Sequence, residues 1–176
     1  MHESLKILFE EHEIIVNAID VAKQASTLIG KDDKQYEKIV RELIHFFRNY
    51  ADKFHHHKEE EILFPEMKKK NELLADGMIK EMLDNHEDFR EMVSSIGKHL
   101  DEKNYLKAQE RLEYYAEALL DHIAVENDEV FQIAETILDA TELQKIYFRF
   151  FDFDSESGKE KQQLLESIEN IRKGFI

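Results

Sequence analysis

Residues 121–131 read DHIAVENDEVF, and residues 54–67 read FHHHKEEEILFPEM. In each, a His is followed four residues later by a Glu amid residues that favour helix. An i, i+4 pair stacks its two side chains on one helix face, about one turn apart. In the first stretch that face is apolar: His122 lies among Tyr115, Leu119 and Ile123, and Glu126 beside Leu119, Val130 and Ile133. A carboxylate on such a face costs several kcal/mol (roughly) unless a cation or a metal takes its charge. The second stretch offers three overlapping pairs, His55/Glu59, His56/Glu60 and His57/Glu61. His55 and Glu59 share an arc with Ile44, Ala51 and Ile62, while His57 and Glu61 continue the arc of Leu43, Tyr50 and Phe54. Periodicity alone leaves the choice open.

Working outward, the flanking sequence is helical throughout. Five Gly and one Pro in 176 residues leave little turn chemistry for a many-stranded sheet. Helical stripes run from about Leu5 to Ile29, from Tyr36 to Lys70, from after Gly77 to Leu100, and from Tyr105 to Leu138. Pro65 is expected to kink or tighten the end of the second. Short connections make sequence neighbours antiparallel, so the fold expected is all-α: an up-down-up-down four-helix bundle over residues 1–140. Residues 141–176 form a C-terminal helical extension packed on it or mediating a homodimer. In that extension Gly158 precedes a last helix from about Lys159 to Lys173, and the Phe residues at 148, 150, 151 and 153 are read as core or interface.

The other two long helices each bring one His inward. His12 lies within the arc of Leu5, Leu8, Ile15 and Ile19, and His86 among Ile79, Met82, Leu83 and Val93. His45, His99 and the terminal His2 fall at or off the margins and take ordinary surface roles. At about 1.5 Å per residue, His86 and His122 lie roughly 22 Å and 27 Å from the turn joining their helices. His12 and His55 lie roughly 24 Å and 30 Å from theirs, a looser match. One inward His is more often a hydrogen-bonded core residue than a ligand; one per helix at one level, with two carboxylates, points to metal. For His56, Glu60 and Glu61 a solvated or outer supporting role is preferred.

Composition narrows the chemistry. No cysteine is present, which excludes thiolate metal sites, iron–sulfur clusters and thiol catalysis. A net charge of −15 disfavours nucleic acid. The N-terminus carries no apolar leader and no run of some 18 apolar residues occurs, so a cytoplasmic protein without membrane contact is expected. Imidazole and carboxylate together suit iron, manganese or zinc. A zinc hydrolase would show His-Glu-x-x-His, but Val16 and Arg90 stand where the second His would fall. A ferritin-like oxidase wants Glu-x-x-His on two helices, and only Glu42 and His45 have that spacing.

These segments, with EHEII at residues 11–15 and NHEDF at 85–89, resemble the hemerythrin-like, HHE cation-binding proteins over roughly residues 5 to 138. The resemblance selects His55 and Glu59 on the second helix. It implies two iron ions, oxo- or hydroxo-bridged, with zinc or manganese as lesser alternatives, held by His12, His55, Glu59, His86, His122 and Glu126, the two Glu bridging. Oxygen-carrying members have a further His where Arg90 stands, so oxygen carriage is not expected. An iron–sulfur repair group with a Cys-bearing N-terminal domain is likewise not matched. The function expected is binding of, or reaction with, oxygen, hydrogen peroxide or nitric oxide in sensing or detoxification. The alternative is an iron-sensing or iron-handling module without turnover, and the sequence does not decide whether the protein is an enzyme.

Overall fold

A computed structural model describes residues 1–175, which are helical almost throughout and contain no strand. Helix α1 spans Glu3–Ala25, starting where the His2 ring accepts the Ser4 N–H. It ends in a 3₁₀ turn, Ser26–Leu28, and Gly30 then takes φ +75° to reverse the chain. Helix α2 runs unbroken over 33–70, with Asp32 capping it through the Gln35 N–H. Helix α3 is Met78–Asp101 and α4 covers 105–137, capped by Asn104. Helix α5 is Ala140–Lys173, opened by a capping box between Asp139 and Glu142. None of these described helices is long and apolar enough to cross a membrane.

Two helices change pitch. In α2 the regular segment Asp33–Phe46 gives way to wide π turns at Phe47–His56 and Glu59–Leu63 before Phe64–Lys70 resumes. In α4 a π turn, Glu126–Val130, separates Tyr105–Val125 from Phe131–Ile137. An i→i+5 turn rotates the chain less per residue than an α turn, so more consecutive side chains face one direction. Helical structure continues through Pro65 to Lys70. The proline has no N–H for the Glu61 carbonyl, and Arg149 of α5 donates to that oxygen instead at 3.1 Å.

Helices α1 and α2, α2 and α3, α3 and α4, and α4 and α1 are neighbours, and α5 lies on α1 and α2. The apolar residues form two clusters. One contains Ile15, Ile19, Leu43, Phe47, Phe54, Phe89, Ile96, Leu112 and Leu119. The other contains Leu5, Leu8, Leu63, Phe64, Ile79, Met82, Val130 and Phe131. Each of the four helices passes from one cluster to the other, and between them, at residues 12, 55–59, 86 and 122–126, lies a buried layer of His and Glu.

The C-terminal region differs from expectation. Residues 140–173 form a single helix, with Gly158 inside it rather than before it. Of its phenylalanines, Phe150 is fully buried and Phe153 partly so, while Phe148 and Phe151 are exposed.

Candidate metal centre

All six side chains expected from sequence converge in this layer, each no more than 3 % exposed. His12, His55, Glu59 and Glu126 bring one ligand-type atom apiece into a single group, and His56, His86 and His122 form a second beside it. The two carboxylates join the groups. Glu59 places Oε1 3.4 Å from His55 Nε2 and Oε2 3.6 Å from His86 Nε2. Glu126 places Oε2 3.2 Å from His12 Nε2 and Oε1 3.1 Å from His122 Nε2. Each carboxylate therefore turns one oxygen to either side.

The outer nitrogens of the rings are held. His55 Nδ1 donates to Glu11 at 3.0 Å, His12 Nδ1 to Asn127 Oδ1 at 2.8 Å, His86 Nδ1 to Glu60 at 2.8 Å and His56 Nδ1 to Asp52 at 3.3 Å. The Asn85 side-chain N–H donates to His122 Nδ1 at 3.3 Å. On His12, His55, His56 and His86 a proton fixed on Nδ1 leaves the Nε2 lone pair free, the arrangement that outer partners impose on ligating histidines. Arg90 reinforces it by binding both Asp52, at 2.7 Å, and Glu60, at 2.8 Å. The position that lacks a fifth His thus braces His56 through Asp52 and His86 through Glu60.

Burial and mutual repulsion set the charge states. Burial, together with the charge of Glu126, pushes the Glu59 carboxyl well above the usual range. Burial acts the same way on Glu126, but His122, His12 and His86 outweigh it and hold that group well below its ordinary value. Burial and nearby His12 lower His55 to about 4, and burial beside His86 holds His56 well below its ordinary value. The interior thus favours neutral, lone-pair-bearing rings for His55 and His56.

The donor set fits metal cations. Both oxygens of Glu59, both of Glu126, and the Nε2 atoms of His12 and His55 are buried without a hydrogen-bond partner, a cost that cations at their centre would remove. His86 Nε2 and His122 Nε2 lie 3.0 Å apart, a spacing that a shared proton or cation relieves. Imidazole with carboxylate is a set for iron, zinc or manganese rather than for oxygen-preferring magnesium or calcium.

His56 is the residue that sequence reasoning placed outside. It is buried with the others because the π turn brings His55 and His56 inward together. Its ring stacks on His86, with centroids 3.7 Å apart and planes 10° apart. Near-parallel rings cannot aim both lone pairs at one ion, whereas His86 and His122, at 71°, can. An acidic side chain four residues before a second inward His was the available signal. His57 instead stacks on Phe153 of α5, and Glu61 is exposed.

A comparison with family models matches residues 3–134 to the hemerythrin HHE cation binding domain. No curated protein and no solved structure matches the chain. With three quarters of its length covered, and with the His and Glu layer inside the matched span, this chain belongs to the hemerythrin HHE cation-binding domain family.

Proposed function

We propose that the protein is a non-haem di-iron protein of an up-down-up-down four-helix bundle, acting in the cytoplasm on a small diatomic molecule or peroxide. The alternating order in which α1 to α4 traverse the two apolar clusters supports the topology. The observation that carries the metal reading is the division of the Glu59 and Glu126 oxygens between two imidazole groups. His12 and His55 would hold one ion, His86 and His122 the other, and the two Glu would bridge them. Iron bound there would supply redox activity and open coordination positions.

The chain's own residues then orient and screen. Glu11, Asn127, Glu60 and Asn85 fix ring orientation, the two apolar clusters exclude bulk water, and His56 stands at the His86 side with its outer proton on Asp52. A cavity of about 20 Å³ between α2 and α3, lined by Phe47, Asp52, His56, His86, Phe89 and Tyr115, adjoins that side. It has room for one water-sized molecule.

Expression in iron-replete medium should yield two irons per chain with near-ultraviolet bands of a bridged pair; zinc alone, or no metal, would overturn the reading. Stopped-flow mixing of the iron-loaded protein with peroxide or nitric oxide then separates turnover from the alternative. Consumption that stops at one equivalent would make it an iron-sensing or iron-handling module. The exposed Phe148 and Phe151 on α5 favour a homodimer, which sedimentation would test.

A further inference from the structure

Helix α5 lies beyond the matched family span, yet it reaches the metal centre through charge. Lys58, three residues after His55, is completely buried, a placement that a lysine sustains only when paired. Its ammonium lies against Glu11 Oε1 and, at 2.7 Å, against Asp154 of α5. Lys161, seven residues further along the same face of α5, binds the same two carboxylates at 2.6 Å and 3.0 Å. Two cations and two anions therefore form a neutral quartet, with α5 contributing one of each. The remaining oxygen of Glu11 accepts from His55 Nδ1 at 3.0 Å.

We propose that Asp154 and Lys161 are positioning residues for the His55 side of the centre, acting through Glu11 and Lys58. Glu11 holds the His55 ring in one orientation only while its own carboxylate is fixed in place. In a buried site that placement depends on its counter-charges. Lys58 alone could neutralise Glu11. With α5 docked, however, Lys161 joins Lys58 on the same Glu11 oxygen and Asp154 holds both ammoniums, so the Glu11 carboxylate is fixed by two lysines rather than one. Undocking α5 would free the carboxylate to turn from His55. The ring would lose both its imposed tautomer and the basicity that a carboxylate partner confers on a ligating imidazole. The C-terminal helix is in this sense part of the metal site. The inference rests on the two-metal reading above.

The test uses the full chain carrying Lys161→Met with Asp154→Asn, which removes the α5 charges as a balanced pair. Lys161→Gln serves as a milder variant, Lys161→Arg as the rescue, and the exposed Lys159→Met as the control on the same helix. Stepwise cobalt(II) titration should show one ion weakened 10- to 100-fold (roughly) while the other keeps its affinity, with Lys161→Arg and Lys159→Met like the parent. In the metal-free protein, nitrogen NMR of the His55 ring should show loss of the Nδ1-protonated tautomer in the double variant. Unchanged affinity at both sites, or equal weakening of both, overturns the proposal, as does an unchanged His55 tautomer. If the parent takes up fewer than two ions, the two-metal reading fails, and the tautomer measurement still decides the role of α5.

Discussion

Replacing Glu126 by Gln keeps the volume of the side chain and removes its charge. Glu126 is fully buried, with one oxygen 3.2 Å from His12 and the other 3.1 Å from His122. A neutral amide cannot bridge two cations, so both ions lose a ligand. Four-ligand structural metal sites bind with about 10–16 kcal/mol, or roughly 3–4 kcal/mol per ligand, which corresponds to an affinity loss of about 200- to 1,000-fold per ion. With free metal at a thousand times the parent dissociation constant, each ion stabilises the parent by about 4 kcal/mol. Two ions should then raise Tm by about 15–30 °C for a chain of this size. At the same metal concentration the variant is between about one-half and five-sixths occupied and should gain only about 2–8 °C.

In the metal-free protein the charge of Glu126 is stabilising as well: His122, His12 and His86 hold its carboxyl well below the ordinary value, while Glu59 beside it is pushed up toward its neutral form. Metal-free Glu126→Gln should therefore melt below the metal-free parent, by less than the metal-dependent loss, and Glu61→Gln, at an exposed position, should match the parent in both states. Thermal melts by circular dichroism, with chelator and with iron or cobalt, measure all four quantities. A full metal-induced rise in Glu126→Gln, or equal losses from Glu61→Gln, would refute the reasoning.

Three further outcomes are expected. Gly158 lies within α5, and a Cβ there would meet nothing within 4 Å; Gly158→Ala should raise stability by about 0.5–1 kcal/mol in urea unfolding, and a decrease would contradict a continuous α5. His56→Gln should retain two ions with affinity within about tenfold of the parent, the lower range for an outer partner, because its ring lies parallel to His86; loss of one ion on calorimetric titration would make His56 a ligand. Glu37 is held down to about 2 by donors from Lys103, Arg41 and the Tyr105 hydroxyl. A lowered carboxyl pKa stabilises the fold above its unfolded value, near 4.3 (roughly), and that contribution is lost as pH falls toward about 2. Glu37→Gln should flatten this acid limb in low salt; an unchanged difference between pH 5 and pH 3 would argue against the contact.

Helix formation, and the inward direction of His12, His86, His122 and Glu126, were legible from sequence because α1, α3 and the first part of α4 keep regular α pitch. In a regular helix the 100° step carries phase reliably from the apolar residues to the His between them. On α2 the same reckoning stalls: the π turns at Phe47–His56 and Glu59–Leu63 break the step in the very segment that carries the triple His and triple Glu. His55/Glu59 and His57/Glu61 therefore fit a wheel about equally while His56/Glu60 fits least well, and family resemblance rather than periodicity singled out His55 and Glu59. The same turns bury His56. Gly158 read as a helix boundary because glycine is a poor helix former, but one such cost is small against the packing of Ile146, Phe150, Leu164 and Ile168 on either side of it.

The amino-acid sequence by itself determined an all-helical chain with a His and Glu layer, since amphipathic period and i, i+4 spacing are local properties. Tertiary structure alone decided how the Glu59 and Glu126 oxygens divide between two imidazole groups, how Arg90 braces Asp52 and Glu60, and how Lys161 meets Glu11 from 150 residues away. Those arrangements depend on which charged groups packing forces together away from water. There a buried charge must find its partner, and neither the pairing nor its geometry is written in the spacing of residues along one helix.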